Sequence, residues 1–339
     1  MRVVFLGRTQ LLMKTIERFE KTGHEIVGIG TCTAVPEYTV TEKDFEDKAK
    51  KLKIPFFCDA KINSSAIQQR LVEMQADIAI SINWLTIINE QTIGIFKYGI
   101  LNGHCGDLPK YRGNACPNWA IINGEECVGV SVHFMESSQL DSGDIVVKKY
   151  VDILNNTTIG EVYHKMEEIL PEMFIEAVEK IAATGKLAGM PQSKEKNDIL
   201  RCYPRIPGDS CIDWRKTCTE IDRLIRASSY PFQGAYSYIN GKSKIYVQKA
   251  RISDYEFPSV VVFGQVIYRD YEKGEVGIAA KDGVIILEEV SDEEHITQNA
   301  AHLIRSARDR LGMMMQDEIY ELRKEINELK CRIVELEND

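Results

Sequence analysis

Asn102-Gly103-His104 and Leu140-Asp141-Ser142-Gly143-Asp144 supply an amide, an imidazole and a carboxylate at the two ends of one stretch. Imidazole is the side chain best matched to take a proton from an amine near neutral pH. A carboxylate on its other nitrogen would fix the tautomer and favour imidazolium, while an uncharged amide N–H can donate to the oxyanion of a tetrahedral intermediate. The set therefore suits acyl transfer to an amine, where losing an oxyanion donor costs roughly 100- to 1000-fold in turnover. Asn-x-His alone is also what a core histidine at the end of a strand looks like, so the elements around it must decide.

Those elements read as an open α/β sheet. The apolar run Tyr98-Gly99-Ile100-Leu101 breaks into Asn-x-His, as a buried parallel strand does where it emerges at the ligand-binding edge of its sheet. Leu108-Pro109-Lys110-Tyr111-Arg112-Gly113-Asn114 must form a loop over that edge. Ser131 to Met135 alternates as a second strand, after which the Asp141 loop returns. Upstream, Arg2–Gly7, Leu11–Thr22 and His24–Gly30 form an opening βαβ unit with no GxGxxG, so dinucleotide binding is unsupported. Helices are expected over Phe45–Leu52, Ser65–Met74, Pro117–Gly124 and Thr158–Thr184, a short strand at Pro55–Phe57, a central strand at Asp77–Asn83 and another at Asp144–Tyr150. His133 and His164 fall inside regular elements and read as structural. Ala188–Asn197, polar and carrying Pro191, reads as a linker. Beyond it come short strands at 212–214, 234–238, 244–247, 260–268, 277–279 and 283–287, with a helix at Thr219–Ala227, a pattern that suggests a small open barrel. The expected organisation is a Rossmann-like doubly wound domain over 1–190, a small β-rich open-barrel domain over 200–300, and a helical tail over 301–339.

The tail carries its own pattern. Ile319, Leu322, Ile326, Leu329, Ile333 and Leu336 alternate by three and four, with Ile at every a and Leu at every d, the combination that favours a parallel two-stranded coiled coil. In that register Glu318 meets Arg323, Glu325 meets Lys330 and Arg332 meets Glu337 across the pair, opposite in sign each time. A parallel homodimer through residues 315–336 is expected.

Composition sets outer bounds. The 339 residues are 44% hydrophobic and 27% charged, and no apolar run reaches the ~18 residues of a membrane span, so a cytoplasmic enzyme is the simplest reading. The nine cysteines include no CxxC pair, which points to reduced thiols and no metal site; Cys105, beside His104, reads as a loop filler. Net charge is -9, and the tail from Met313 holds eight acids against four bases, so the rest carries -5. That balance weighs against a partner gripped by its phosphates, and nucleic acid is unlikely from composition.

Asn102-x-His104, Leu108-Pro109-x-x-Arg112-Gly113, Pro117, Asn123-Gly124-Glu125 and Leu140-Asp-x-Gly-Asp144 together closely resemble the formyltransferases that use N10-formyltetrahydrofolate, over roughly residues 1 to 300. That family includes methionyl-tRNA formyltransferase and the enzymes that N-formylate nucleotide-linked amino sugars. The resemblance implies a catalytic trio of Asn102, His104 and Asp141, and a pterin held largely by backbone groups at Asn83, Trp84, Leu85 and Ile88 with Asp144. Plain core packing or a helix start is the bland alternative for that loop. The chain departs from the family at Gly106, where Ser is common, and at Asp107, where Leu is common.

Tyr111, Arg112, Gly113 and Asn114 are candidates for sugar or diphosphate contacts, because backbone amides and a guanidinium suit phosphate oxygens. Pro207-Gly-Asp209-Ser210 with Asp213-Trp214 is similar to the formyltransferase half of the bifunctional enzyme acting on UDP-4-amino-4-deoxy-arabinose. By that likeness Tyr203 and Arg205 would lie near the nucleotide; a solvated Arg is the alternative. Ala34–Asp44, where methionyl-tRNA formyltransferases are expected to carry a longer basic loop, has only Lys43. The expected substrate is thus a nucleotide-linked amino sugar, with methionyl-tRNA as the alternative and a non-catalytic assembly module built on the coiled coil as a third reading.

Overall fold

A computed structural model of the protein describes residues 1–35, 38–187, 189–254, 260–313 and 315–337. The chain divides into two compact units, Met1–Arg205 and Ile206–Asp339.

The first unit opens with β1 (Arg2–Gly7), α1 (Gln10–Phe19), β2 (Glu25–Thr31), α2 (Glu42–Leu52), β3 (Phe56–Cys58), α3 (Ser65–Glu73), β4 (Ile78–Ile82), α4 (Glu90–Ile93) and β5 (Ile100–His104). It continues through the two-residue β6 (Arg112–Gly113), α5 (Cys116–Asn123), β7 (Cys127–Phe134), β8 (Ile145–Asp152), α6 (Ile159–Thr184) and β9 (Arg201–Cys202). Seven strands form one sheet in the order β3-β2-β1-β4-β5-β7-β8. The first five are parallel neighbours, and β7 and β8 join antiparallel. The reversal at β5 follows from its partner: Asn102 pairs with His133 and His104 with Ser131 of a strand running the other way.

Helical spacing explains the layers. Leu12, Met13, Ile16 and Phe19 bury one face of α1, and α6 buries Val162, Met166, Leu170, Phe174 and Val178 along its length. Thr158 starts α6 through a capping box with Glu161. Phe174 also reads the strand beneath it. Successive strand residues alternate faces, so Asn102 and His104 share a face and Gly103 points the other way. There a Cβ would fall 2.9 Å from the Phe174 ring, so glycine lets helix and strand approach.

The polar stretch read as a linker is tied to this unit at Met190 and Gln192, while 194–198 is exposed. Met190 bridges to Ile145, and Gln192 is buried and hydrogen-bonded to the Asp141 loop. Composition misled there because a buried glutamine with partners reads, residue by residue, like a solvated one.

The second unit contains α7 (Cys218–Ser228), β10 (Ala235–Ile239), β11 (Ser243–Ile252), β12 (Val266–Asp270), β13 (Glu275–Ala279), β14 (Val284–Ser291), β15 (Thr297–Asn299), α8 (Ala300–Leu303) and α9 (Met315–Glu337). The antiparallel order is β10-β11-β14-β13-β12, with β15 on β14. Leu311 bridges Ile239 and Arg310 bridges Gln265, so one short segment touches both sheet edges. Ile212–Trp214, expected as a strand, is irregular: Trp214 is buried in the core and its Nε1 donates to Ser237 Oγ at 3.0 Å. The strand expected from 260 begins only at Val266.

Candidate active site

Asn102 and His104 lie in the last three residues of β5, and Asp141 sits on the loop between β7 and β8 with φ +51°. The structure brings all three together. Asp141 Oδ2 is 3.5 Å from His104 Nδ1, and Asp141 Oδ1 is 3.5 Å from Asn102 Nδ2. The Asp141 carboxylate also accepts the backbone N–H of Gly113 at 2.9 Å. That contact ties the 108–114 loop to the carboxylate, and Gly113 can make it because its φ is +104° and a Cβ would strike Cys202 O at 2.2 Å.

His133, expected to be structural, belongs to this cluster. Its Nε2 lies 3.1 Å from Asn102 Nδ2 and 3.5 Å from Asp141 Oδ1. Its Nδ1 faces the Phe134 carbonyl at 2.8 Å, and since a carbonyl only accepts, Nδ1 is the donor and Nε2 can receive the Asn102 amide. The signal was available in the strand register, where Asn102 and His133 are cross-strand partners, but register cannot be read from one strand alone. Gln192 is the second residue missed. It donates to the carbonyls of Asp141 and Gly143 at 2.9 and 2.7 Å and accepts from Arg112 Nη2 at 2.7 Å.

Electrostatics follow from burial. His104 is 7% exposed, and loss of water pushes its pKa below the ordinary 6.5 by more than the Asp141 charge and the Tyr111 carbonyl raise it. Asp141 is opposed by its own burial, yet the His104 and His133 rings and the Gly113 N–H hold its carboxyl at about 2. Full lowering of Asp141 by His104 would need a charged ring, which burial disfavours, and His133 Nε2 cannot donate to it while accepting the Asn102 amide; the Gly113 amide is then the firmer reason for an ionised carboxylate. At rest the pair is a neutral imidazole beside a carboxylate. Burial also raises the Cys105 thiol to about 12, so it is protonated and unreactive at neutral pH.

The other expected residues separate into two groups. Arg112 is buried and spends its guanidinium on Gln192, while Tyr111 is buried with its phenol donating to Glu125 Oε1 at 2.6 Å. Asn114 is exposed, its N–H bonded to Cys202 O at 3.2 Å. Tyr203 is 63% exposed; its carbonyl accepts from Trp119 Nε1 at 2.9 Å, and Arg205 lies over the Trp119 ring at 5.8 Å. At the end of β4, Asn83 takes φ +54° and donates to Tyr38 OH at 2.6 Å. Trp84 packs edge-on to Phe57, Ile88 is core, and Leu85 and Ile87 are 53% and 76% exposed. Asp144 receives the Phe134 N–H on its carbonyl. Two cavities, of about 600 and 640 Å³, lie elsewhere, one around Lys244, Asp292 and Arg305 and one around Glu126, Asp152 and Asn155. Among the described residues no group of His, Cys, Asp and Glu is arranged to hold a metal, and no helix is long and apolar enough to cross a membrane.

Residues 1–178 match the family described as formyl transferase, and residues 206–308 match the formyl transferase C-terminal domain. A methionyl-tRNA formyltransferase of Agathobacter rectalis is 31% identical over 246 residues, 72% of this chain and 78% of that protein. Among solved structures, WlaRD, a sugar 3N-formyl transferase determined with dTDP and 5-N-formyl-THF, aligns with a TM-score of 0.62 at 19% identity over 86% of this chain and 98% of its own. HypX of Aquifex aeolicus, determined with tetrahydrofolic acid, aligns with a TM-score of 0.61 at 18% identity over 91% of this chain. The chain spans about half, 47%, of HypX.

Proposed function

Because the chain belongs to the formyl transferase family, we propose that it moves the formyl group of N10-formyltetrahydrofolate onto the amine of a nucleotide-linked amino sugar. The observation that carries the chemistry is the convergence of Asp141 on both His104 and Asn102 at 3.5 Å. His104 takes the proton of the attacking amine. Asp141 faces Nδ1, orients the ring and steadies the imidazolium that forms. Asn102 Nδ2 is shared between His133 Nε2 at 3.1 Å and Asp141 Oδ1 at 3.5 Å, and the hydrogen on the longer contact is the one that would turn toward the developing oxyanion.

Formyl-tetrahydrofolate is the formyl donor of this family, and it supplies the carbon under attack. The end of β4 fits such a group, because exposed Leu85 and Ile87 beside buried Ile88 offer apolar surface that a flat ring can cover. We assign Asn83, Trp84, Leu85, Ile88 and Asp144 to its binding, and Tyr111, Arg112, Gly113, Asn114, Tyr203 and Arg205 to the acceptor side, Arg112 acting there as an internal brace.

The sugar reading draws on charge. The chain carries -9, and the lone base of the 34–44 segment, Lys43, is already paired with Glu46 and Asp47. The likeness at Pro207–Ser210 and Asp213-Trp214 points the same way. Methionyl-tRNA is the second reading, favoured by the name of the 31%-identical relative. Incubating the protein with the folate donor and either a panel of nucleotide-linked amino sugars or Met-tRNA tests both. Formylated sugar is the expected product; formyl-Met-tRNA alone, with steep salt dependence, would transfer the assignment.

The homodimer reading rests on α9, where Ile319, Leu322, Ile326, Leu329, Ile333 and Leu336 are between 47% and 76% exposed. The side chains of Glu318 and Glu337, members of two expected cross-pairs, lie outside the described residues. Sedimentation at micromolar concentration is expected to give a dimer; a monomer overturns this part.

A further inference from the structure

The backbone of the 108–114 loop sits on the nitrogen that must act. Tyr111 O is 2.6 Å from His104 Nε2, and because a carbonyl only accepts, Nε2 carries the hydrogen. In the neutral ring the lone pair is then on Nδ1, which faces Asp141 Oδ2 at 3.5 Å. A ring in this tautomer has nothing at Nε2 with which to take a proton.

Two independent features build this contact. Tyr111 is anchored from three sides: its φ is +55°, its phenol donates to Glu125 Oε1 at 2.6 Å and accepts from Asn123 Nδ2 at 3.2 Å, and Cys116 Sγ donates to the same carbonyl at 2.9 Å. Gly106 provides the room. A Cβ there would lie 2.2 Å from Tyr111 O and 2.4 Å from His104 Nε2, closer than real Cβ atoms come. Its φ is outside the left-handed region, so space alone demands glycine at this position.

We propose that Gly106 and the Tyr111 carbonyl are positioning groups that clamp His104 in the Nε2–H tautomer, and that substrate entry starts catalysis by lifting Tyr111 off the ring. On release Nε2 gives its proton to water and Nδ1, facing Asp141, takes one from water, so the ring stays neutral and no net charge moves. The freed Nε2 lone pair then accepts the proton of the attacking amine. The other ionisable groups facing this ring are Asp141, His133, Arg112 and Cys116, and none needs to titrate for the exchange.

The inference rests on His104 being the base, and the experiment separates the two. Nitrogen-15 spectra of the full chain labelled at histidine, with His104 assigned by its absence in His104→Gln, report the tautomer near neutral pH. The wild type is expected to show a protonated Nε2, and Gly106→Ala a protonated Nδ1 with a bare Nε2. Diethylpyrocarbonate attacks an open, unprotonated ring nitrogen; the wild-type lone pair is on Nδ1, which faces Asp141, so His104 is expected to be modified roughly fivefold faster in Gly106→Ala, where Nε2 is bare, the ratio for losing one neutral hydrogen bond. Should Gly106→Ala fail to fold, Tyr111→Phe, which loses the Glu125 and Asn123 anchors and keeps the Cys116 contact on the carbonyl, is expected to move the tautomer in the same direction by a smaller amount. A bare Nε2 in the wild type, or an unchanged tautomer and modification rate in a folded variant, overturns the clamp. If His104→Ala keeps its turnover while the wild-type ring shows Nε2–H, the base assignment falls and the tautomer finding stands; the clamp then has no catalytic meaning.

Discussion

The ends of β4 and β5 are neighbours in one sheet and differ in every respect that matters for chemistry. At the end of β5, Asn102, His104 and Asp141 are enclosed with His133, Gln192 and the Gly113 amide, and each polar atom named above has a partner. At the end of β4, Leu85 and Ile87 face outward with apolar surface uncovered. The contrast separates work done by preorganised charge, which needs a dry and rigid setting, from work done by apolar contact, which needs an open one. On the function proposed above, the first region would supply the reacting groups and the second a place for something flat to lie.

That contrast breaks most sharply at the trio. Asn102→Ala, His104→Ala and Asp141→Ala are each expected to lower turnover by roughly 100-fold or more while circular dichroism stays native. Gln192→Ala comes next. It strips the buried Arg112 guanidinium of its acceptor and unties the Asp141 loop, and urea unfolding is expected to show a loss of about 1–3 kcal/mol, with turnover falling because the carboxylate is less well aimed. At the open end, Leu85→Ser is expected to raise the KM for the folate donor several-fold, leaving the melting temperature unchanged, since the side chain is half in water already. A change in stability larger than that in KM would show Leu85 to be a packing residue.

The pH dependence sharpens the same comparison with the smallest expected effect. Burial holds the His104 pKa below 6.5, so the base remains unprotonated as pH falls through that value. The acid limb of kcat/KM is therefore expected below 6.5, and Asp141, held at about 2, adds nothing to that limb. The sign for stability is related: a histidine whose folded pKa is depressed favours the folded state above its unfolded pKa, and that contribution declines as pH drops below 6.5.

What was legible in the sequence follows the same division. The Asn-x-His break at the end of an apolar run and the Asp141 loop suggested that an amide, an imidazole and a carboxylate could meet, the family resemblance singled out the trio, and α1 and α6 announced themselves by helical spacing. His133 and Gln192 were opaque because their roles depend on which strand lies opposite and where a distant loop returns, neither of which a single chain's periodicity encodes. The 188–197 stretch looked like a linker for the same reason, because the long-range partners of Gln192 are invisible in its polarity. Arg112 read as a candidate for sugar or diphosphate contacts because a guanidinium suits phosphate oxygens; only the fold shows it buried against Gln192. In the second unit, Ile212–Trp214 had strand composition but is committed to core packing through Trp214.

The most direct measurement is single-turnover formyl transfer by the wild type and by His104→Ala, with N10-formyltetrahydrofolate and an amino-sugar acceptor that the wild type formylates. The account predicts rapid release of tetrahydrofolate in the wild type and a loss of roughly 100-fold or more in a folded variant. A rate in His104→Ala close to that of the wild type would contradict it.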